Sequence, residues 1–591
     1  MKRVFIGHRG VGKSTILERH KTYFPNIPHI DLDQYISVQE NKKISEIFLN
    51  QGEDAFRLLE NKCFQQLIQQ ENFVISVGAG FNTNNFSSSS DQDIEIVYIS
   101  RRTDSDGRVF LNRPRLNVDM TAIEESKHRF IHREEKFRKI AHWVYHLPEG
   151  LSEVSRIEKN IFNKNTELKS SFYTLKNKKE LKWVHHLNQF ELRTDYFSYD
   201  EIQEIVRKYT GLKFIISIRK IENDFDKYYL LKEKNIWIDW AIDLAPCLKT
   251  DQTTIVSMHG NDFNLSKKEI EKYQHDDHLL LKLCPIVNSF DELEAGYKWQ
   301  QEEPEKRSFL PRTDFNKNKK SLWRWFRCIM LKKQKINFIQ SIIDFDDQPS
   351  LYQNEQVEYN KIETFGAVLG FPVHHSITPT YQYRLFNRSV FFVDIPIIQK
   401  DFNQAILFLE KLGLRYAAVT SPLKKSAAEF LRLHGLVDSQ LQAINTLYLN
   451  HSKRIGISTD HFGFDRLLKS ISLKDVLHSK IVIWGGGGVV ESIQKIIPNV
   501  VQFSSQTGQL KMRNSHQDIQ PDILIWAAPR YDKTQFPPVN WTPQIVVDLN
   551  YTENSMGLEY AQTLLHTKYV SGLIMFEEQG LEQYKFWLEQ I

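Results

Sequence analysis

Gly7-His-Arg-Gly10-Val-Gly12-Lys13-Ser14 sets glycines, a lysine and a hydroxyl at the spacing G-x-x-x-x-G-K-[ST], with Thr15 next in the chain. The glycines leave backbone N–H groups free to wrap phosphates. The lysine reaches the outer phosphates, and the hydroxyl can ligate Mg²⁺. A second set is spread along apolar runs: Glu191 and Arg193, then Arg219, then His259, then Lys282 inside Leu281-Lys-Leu283. A lysine within an apolar strand is costly unless it has a task or snorkels to the surface. Polar residues closing successive strands form one site at the top of a β/α barrel. A third signal is Ile481-Val-Ile-Trp484 running into Gly485-Gly486-Gly487-Gly488, a strand into a glycine turn of the kind that receives a pyrophosphate.

These residues need parallel sheets to position them. Arg3–Ile6, Phe73–Val77 and Ile94–Ile99 alternate with helical patterns in the first third. From Leu187 onward, short apolar strands alternate with helices as β/α units. Phe365–Gly370 opens another α/β region. The polar stretch Asn163–Ser171 marks a first boundary, and Asp346–Asn360 reads as a second linker. The expected class is multidomain α/β: a P-loop domain over 1–165, a β/α barrel over 170–350 and a two-lobed unit over 360–591. In that last unit a substrate lobe (360–470 plus a C-terminal helix) joins a Rossmann-like nucleotide lobe (475–570).

The chain has 591 residues, 41% hydrophobic and 25% charged, with formal net charge +4. That charge is too weak to predict a nucleic-acid or membrane partner. No apolar run approaches the ~20 residues of a membrane helix, and Met1–Ile6 reads as a strand rather than a secretory signal. Cys63, Cys247, Cys284 and Cys328 are far apart, without zinc spacing, so a reducing cytoplasm is the expected setting.

The order of further motifs carries resemblances. Ile30-Asp31-Leu-Asp33, Gly52-Glu53-Asp-Ala-Phe56-Arg57, Val77-Gly78-Ala79-Gly80, Asn112-Arg113-Pro114-Arg115-Leu116 and Arg133 resemble shikimate kinase over about the first 150 residues. The resemblance implies ATP and Mg²⁺ as cofactors. Gly7, Gly10, Gly12, Lys13, Ser14 and Thr15 would hold ATP, with Ser14 and Asp31 at the metal. Asp33, Arg57, Gly80 and Arg133 would bind shikimate. Asp33 would orient the attacking hydroxyl and Arg113 would reach over the transferring phosphoryl. The Glu191–Lys282 series resembles type I dehydroquinase. That implies Lys282 as imine-forming nucleophile, His259 as general acid/base, and Glu191, Arg193 and Arg219 as substrate ligands, with no cofactor.

Gly370-Phe-Pro372-Val-His-His375-Ser376-Ile-Thr378-Pro379, Val419-Thr420-Ser-Pro422-Leu-Lys424, Ala443-Ile-Asn445-Thr446, Thr459-Asp460 and Gly572-Leu-Ile-Met575 with Gln579 resemble shikimate dehydrogenase. That implies Lys424 and Asp460 as the catalytic pair. Ser376, Thr378, Thr420, Asn445 and Gln579 would bind substrate, and Gly485, Gly486, Gly487 and Gly488 would meet NADP. The family often has an arginine for the NADP 2′-phosphate where this chain has Ser504-Ser505-Gln506-Thr507, so NADP or NAD stays open. Trp526, Ala528 and Ala418 stand where the family has Asn, Thr and Asn.

Together the resemblances imply three consecutive steps from 3-dehydroquinate to shikimate 3-phosphate, in an order similar to the last three domains of the fungal pentafunctional arom enzyme. The expected partners are small-molecule substrates, with a homodimer left open. Two alternatives are carried: an enzyme with an impaired dehydrogenase, and a regulator resembling the fungal quinate-pathway repressors. Lys13, Asp33, Arg57, Arg113, His259, Lys282, Lys424 and Asp460 are all in place, which disfavours the regulator.

Overall fold

The computed structural model describes residues 1–86, 93–111, 117, 119–219, 226–244, 253–340, 346–359, 363–435, 442–471, 479–486, 490–498, 500–511, 519–530 and 533–591. They form four sheets, each wrapped by helices, in a multidomain α/β architecture. By contact the chain separates into two units, Met1–Arg101 with His132–Lys361, and Arg102–Ile131 with Ile362–Ile591.

In the first unit, β1 (Lys2–Ile6), β2 (His29–Asp31), β3 (Phe73–Ser76), β4 (Glu95–Ser100) and β5 (Trp143–His146) make a sheet in the order β2-β3-β1-β4-β5. The pairs are parallel, and β1, β3 and β4 are apolar-rich runs buried almost throughout, as a sheet covered on both faces requires. Helix Arg156–Phe162 is fastened to helix Lys13–Tyr23 through Glu158. That buried carboxylate accepts from Arg19 Nε (2.7 Å), Tyr23 Oη (2.6 Å) and Tyr145 Oη (2.8 Å). A buried charge survives only with such saturation of its lone pairs.

Eight more strands follow: β6 (Ser171–Thr174), β7 (Gln189–Arg193), β8 (Lys213–Ile218), β9 (Ile236–Ala241), β10 (Ile255–Met258), β11 (Leu280–Leu283), β12 (Arg307–Phe309) and β13 (Asn337–Gln340). Their order, β12-β11-β10-β9-β8-β7-β6-β13, is sequential around a ring, and every ladder is parallel. The one seam without a ladder, β12 to β13, is bridged by side chains. Ile336 N–H donates to Ser308 Oγ (3.1 Å) and Phe309 N–H to Gln334 Oε1 (3.0 Å). The result is a nearly closed parallel barrel.

The stretch read as the second linker is partly structured. Leu351–Tyr359 is a helix whose Leu351, Tyr352, Asn354, Gln356 and Val357 are buried. Asn354 on its buried face has an inward partner, Ser171 Oγ donating to Asn354 Oδ1 (2.7 Å), so polarity misled the reading.

The second unit holds two sheets. β14 (Phe365–Gly370), β15 (Phe391–Pro396), β16 (Leu414–Val419), β17 (Thr446–Asn450) and β18 (Lys453–Ile457) run β15-β14-β16-β17-β18, with the last two joined antiparallel. β19 (Ile481–Gly485), β20 (Val501–Phe503), β21 (Ile523–Ala527), β22 (Ile545–Asp548) and β23 (Lys568–Ser571) run β20-β19-β21-β22-β23, all parallel. This doubly wound order reverses at β19, so the crevice beyond its carboxyl end is the binding position. The unit also takes up a segment from the first third of the sequence: Arg102 pairs with Asp394 (2.8 Å), His374 with Asp106 (3.0 Å) and Arg108 with Glu553 (2.5 Å).

Four histidines in the first unit are held below their ordinary 6.5, chiefly by burial: His20 to about 2, His146 to about 3, and His142 and His186 to about 4. His142 Nδ1 accepts from Ile96 N–H (2.9 Å), so that nitrogen must be unprotonated. The unfolded chain therefore binds more protons than the folded one below pH 6.5. Stability is full above 6.5 and falls as pH drops toward 4, by about 1.4 kcal/mol per pH unit for each such histidine. The guanidinium midpoint of this unit should fall clearly between pH 7.5 and pH 5. An unchanged midpoint would contradict the burial of these rings.

Candidate functional site

Three clusters of sequence-predicted residues gather at strand ends. The first lies where β1, β2 and β3 end. Gly10 and Gly12 are left-handed (φ 75° and 103°), and helix Lys13–Tyr23 starts with no side-chain cap, leaving its first N–H groups for an anion. Lys13 Nζ folds over the loop and donates to Gly7 O and His8 O (both 2.9 Å). Ser14 Oγ donates to Asp31 Oδ2 (2.7 Å), a hydroxyl–carboxylate pair at the helix start that suits Mg²⁺. Thr15 follows on the first turn, exposed.

Asp33, in the first turn of helix Leu32–Glu40, brings Oδ1 to 3.2 Å from where a Cβ on Gly78 would stand. A Cβ on Gly80 would overlap the Arg57 guanidinium. The Gly78-Ala79-Gly80 turn is thus shaped around both charged groups. Arg57 is itself braced by Glu60 (2.9 Å) and Glu53 (3.0 Å). Arg133 sits on helix Ala122–Ile140, and Arg113 lies outside the described residues. The sequence reading missed Glu60. It is fully buried, and its Oε1, which has no hydrogen-bond partner, lies 3.5 Å from the same Gly78 Cβ position. Burial pushes this carboxyl up, with Arg57 opposing. Its signal was an i,i+3 pairing with Arg57 on one helix face. Gly80→Ala must displace Arg57, so it should weaken capture of an anionic ligand by Arg57 by about tenfold or more while sparing phosphate binding at the glycine loop. Parallel binding titrations of both ligands would check it.

The second cluster fills the carboxyl end of the barrel. Lys282 is fully buried, its ammonium paired with Asp239 and 4.8 Å from the Phe338 ring centroid. Asp239 also accepts from Ser217 Oγ (3.0 Å) and lies 3.9 Å from Arg219. Burial raises the Asp239 carboxyl, but Lys282 and Arg219 outweigh it and hold it below its usual value. Arg219 Nη1 lies 2.8 Å from His259 Nδ1, and His259 N–H donates to Asp243 Oδ1 (3.2 Å). Burial, then Arg219, Lys282, Arg312 and Arg193, hold His259 well below its ordinary value, so the ring is neutral and able to take a proton. Arg193 forms a two-pronged pair with Asp195 (3.0 and 2.7 Å). Glu191 is buried and accepts from Thr174 Oγ1 and Ser217 Oγ, both 2.7 Å.

Asp239 went unread, although an aspartate inside Ile236–Ala241 gives the same signal as a lysine inside an apolar strand. Arg324, which the sequence reading left without a role, is nearly buried and paired with Asp346.

The third cluster lies in the second unit. Lys424 and Asp460 each open a helix, and Lys424 Nζ donates to both carboxylate oxygens at 2.7 Å. Asn445 Nδ2 donates to Asp460 Oδ1 (3.0 Å), and Gln579 donates to the same oxygen. Helix Leu573–Leu588 delivers Gln579 by packing on helix Asp460–Lys469, where a Cβ on Gly463 would come within 2.5 Å of Met575 O. Ser376 Oγ donates to Thr378 Oγ1 (3.0 Å) and lies 3.4 Å from Tyr551 Oη, a neighbour the sequence reading did not name. Thr420 follows β16, its methyl against Gly370.

Gly485 has φ 119°, and a Cβ there would lie 2.5 Å from Ala527 O, so β19 requires glycine at its turn. Gly486 faces the Lys511 ammonium and the Gln502 carboxamide. Gly487 and Gly488 lie outside the described residues. A glycine turn at the reversal of a doubly wound sheet fits a dinucleotide pyrophosphate. Trp526 is buried and donates to Ala528 O (2.8 Å), and Ala418 is buried in β16.

A P-loop α/β domain, a parallel barrel with a buried lysine and a two-lobed unit with a Rossmann-like sheet are the classes these sites define. Residues 9–161 match the family model for shikimate kinase. Over 130 residues the chain is 30% identical to the shikimate dehydrogenase (NADP(+)) of Bacillus mycoides, covering 22% of this chain and 47% of that protein. It thus spans about half the length of the first such relatives, 47% in each of two Bacillus proteins. A longer match, 24% identical over 264 residues, joins 38% of this chain to 91% of the shikimate dehydrogenase (NADP(+)) of Prochlorococcus marinus. Among solved structures, shikimate dehydrogenase 1 of Peptoclostridium difficile is 22% identical with TM-score 0.33, covering 38% of this chain and 92% of its own. Shikimate 5-dehydrogenase of Thermus thermophilus is 20% identical with TM-score 0.31, covering 38% and 94%.

Proposed function

We propose that the chain carries out three consecutive steps: dehydration of 3-dehydroquinate, reduction of 3-dehydroshikimate to shikimate, and phosphorylation of shikimate. The three units would be 170–350, 360–591 and 1–165. The observation that carries this reading is the gathering of Lys282, Asp239, Arg219 and His259 at one end of the barrel.

In the barrel, the Lys282 amine attacks the substrate ketone and expels water to leave an imine. His259 takes the proton beside the imine carbon and returns it to the departing hydroxyl, which leaves as water. Hydrolysis of the imine then frees Lys282. Arg193 and Arg219 supply the positive field that binds a carboxylate, and Glu191 fixes the strand-end hydroxyls around them. In the two-lobed unit, Lys424 and Asp460 hold and move the hydroxyl proton, while Ser376, Thr378, Thr420, Asn445 and Gln579 orient the ring. The glycine turn from Gly485 would hold NADP or NAD, which would supply the hydride. In the P-loop unit, Asp33 orients the attacking hydroxyl, Arg57 and Arg133 grip the carboxylate, and Lys13 and the helix start bind phosphates. Ser14 with Asp31 would hold Mg²⁺, which would offset phosphate charge, and Arg113 would serve the transferring group.

The test is separate assay of each step on one preparation, with borohydride trapping of the imine followed by mass spectrometry. Trapped adduct at Lys282 supports the barrel reading. Turnover without adduct, or adduct on another lysine, would refute it.

A further inference from the structure

The carboxyl end of the barrel contains a cation that the reaction above does not use. Arg312 follows β12, and its fork is spent on backbone. Nε donates to Cys284 O (2.7 Å), and Nη2 donates to His259 O and Gly260 O (3.0 Å to the latter). Cys284 stands two residues beyond Lys282, and His259 and Gly260 lie just past the end of β10. The regular ladder pairs Ser257 with Lys282 and Met258 with Leu283, and past it the two segments keep one looser backbone bond, Ile286 N–H to Gly260 O (3.0 Å). Arg312 therefore grips both chains where the ladder ends. A second arginine fixes the grip: Arg327 Nε donates to Pro311 O (3.0 Å) and Nη2 to Leu310 O (3.2 Å), holding the segment from which Arg312 projects.

We infer that Arg312 is a positioning residue of this site, locking the strand ends that carry His259 and Lys282 into one register and setting a positive charge beside His259. The inference rests on the imine-lyase reading above. The planar fork suits the geometry, because one guanidinium can span carbonyls on two strands where an ammonium cannot. The charge suits the second task. Neither Arg312 nor Arg327 has a carboxylate within ion-pairing distance among the described residues, and a half-buried cation acts on its neighbours more strongly than one in water. The groups facing His259 are Arg193 at the end of β7, Arg219 after β8, Lys282 on β11 and Arg312 after β12, all positive. The Asp243 carboxylate after β9, 3.4 Å from His259 Nδ1, is the one opposite charge among the described groups at the ring.

Arg312→Gln and Arg312→Lys separate the two tasks. Dehydration kinetics against pH, with borohydride trapping on the same samples, should show kcat lowered by about ten- to a hundredfold in both variants with KM little changed. In Arg312→Gln the acidic limb of the kcat profile moves to higher pH, since removing a positive neighbour lets His259 protonate more readily. In Arg312→Lys, which keeps the charge and loses the fork, that limb stays nearer wild type. Lys282 remains trappable in both, which shows a folded barrel. A wild-type kcat and pH profile in Arg312→Gln would overturn the inference, as would loss of trapping together with activity in both variants, the mark of a purely structural arginine. If the wild-type chain itself traps no imine, the lyase reading fails first and takes this inference with it.

Discussion

Lys282→Ala is expected to end imine trapping and to lower dehydration by at least about 1,000-fold, since a covalent nucleophile has no substitute in its site. ATP-dependent phosphorylation of shikimate by the same sample should be unchanged. The change also has a structural cost. Asp239 is fully buried and pairs with Lys282, and its next cation, Arg219, lies 3.9 Å away. Stranding one partner of such a pair costs about 3–5 kcal/mol. The barrel should therefore melt earlier in Lys282→Ala and regain stability, but not activity, in the double variant Lys282→Ala/Asp239→Asn. Recovery of dehydration in the double variant would contradict the assignment of Lys282. Loss of all three activities in the single variant would contradict separate sites.

Asp460→Asn is the second large effect. The carboxylate is buried and accepts both Lys424 bonds, with Asn445 and Gln579 on the same oxygen. An amide offers one oxygen and an NH₂ that faces donors, so Lys424 loses its counter-charge and the proton route closes. Reduction of 3-dehydroshikimate should fall by about 1,000-fold, while trapping at Lys282 and the phosphoryl transfer persist. A stopped-flow hydride-transfer rate near wild type would remove Asp460 from the catalytic pair.

The local signals were legible where chemistry forces both residue type and spacing. The P-loop was readable because a strand, three glycines, a lysine and a hydroxyl must fall within a few residues. Lys282 was readable because an apolar strand makes an ammonium conspicuous, and its burial is as read. What escaped depends on partners distant in sequence. Asp239 has the same conspicuous setting, but its meaning comes from Lys282, two strands away. Closure of the barrel rests on Ser308 and Gln334 side chains across a seam with no ladder, which no periodicity encodes. Helix Leu351–Tyr359 looked like a linker because its buried face carries Asn354 and Gln356, and the group that meets Asn354 Oδ1, Ser171, is remote in sequence. The joining of 102–131 to the second unit depends on pairs such as Arg108–Glu553, more than four hundred residues apart, which no local pattern announces.

The central claim is one chain acting three times, and a single reaction mixture tests it most directly. Purified protein receives 3-dehydroquinate, NADPH, ATP and Mg²⁺, and products are followed by mass spectrometry. The predicted result is accumulation of shikimate 3-phosphate. A halt at 3-dehydroshikimate, with NADH as well as NADPH, would contradict the dehydrogenase assignment, and no consumption of 3-dehydroquinate at all would contradict the account from its first step.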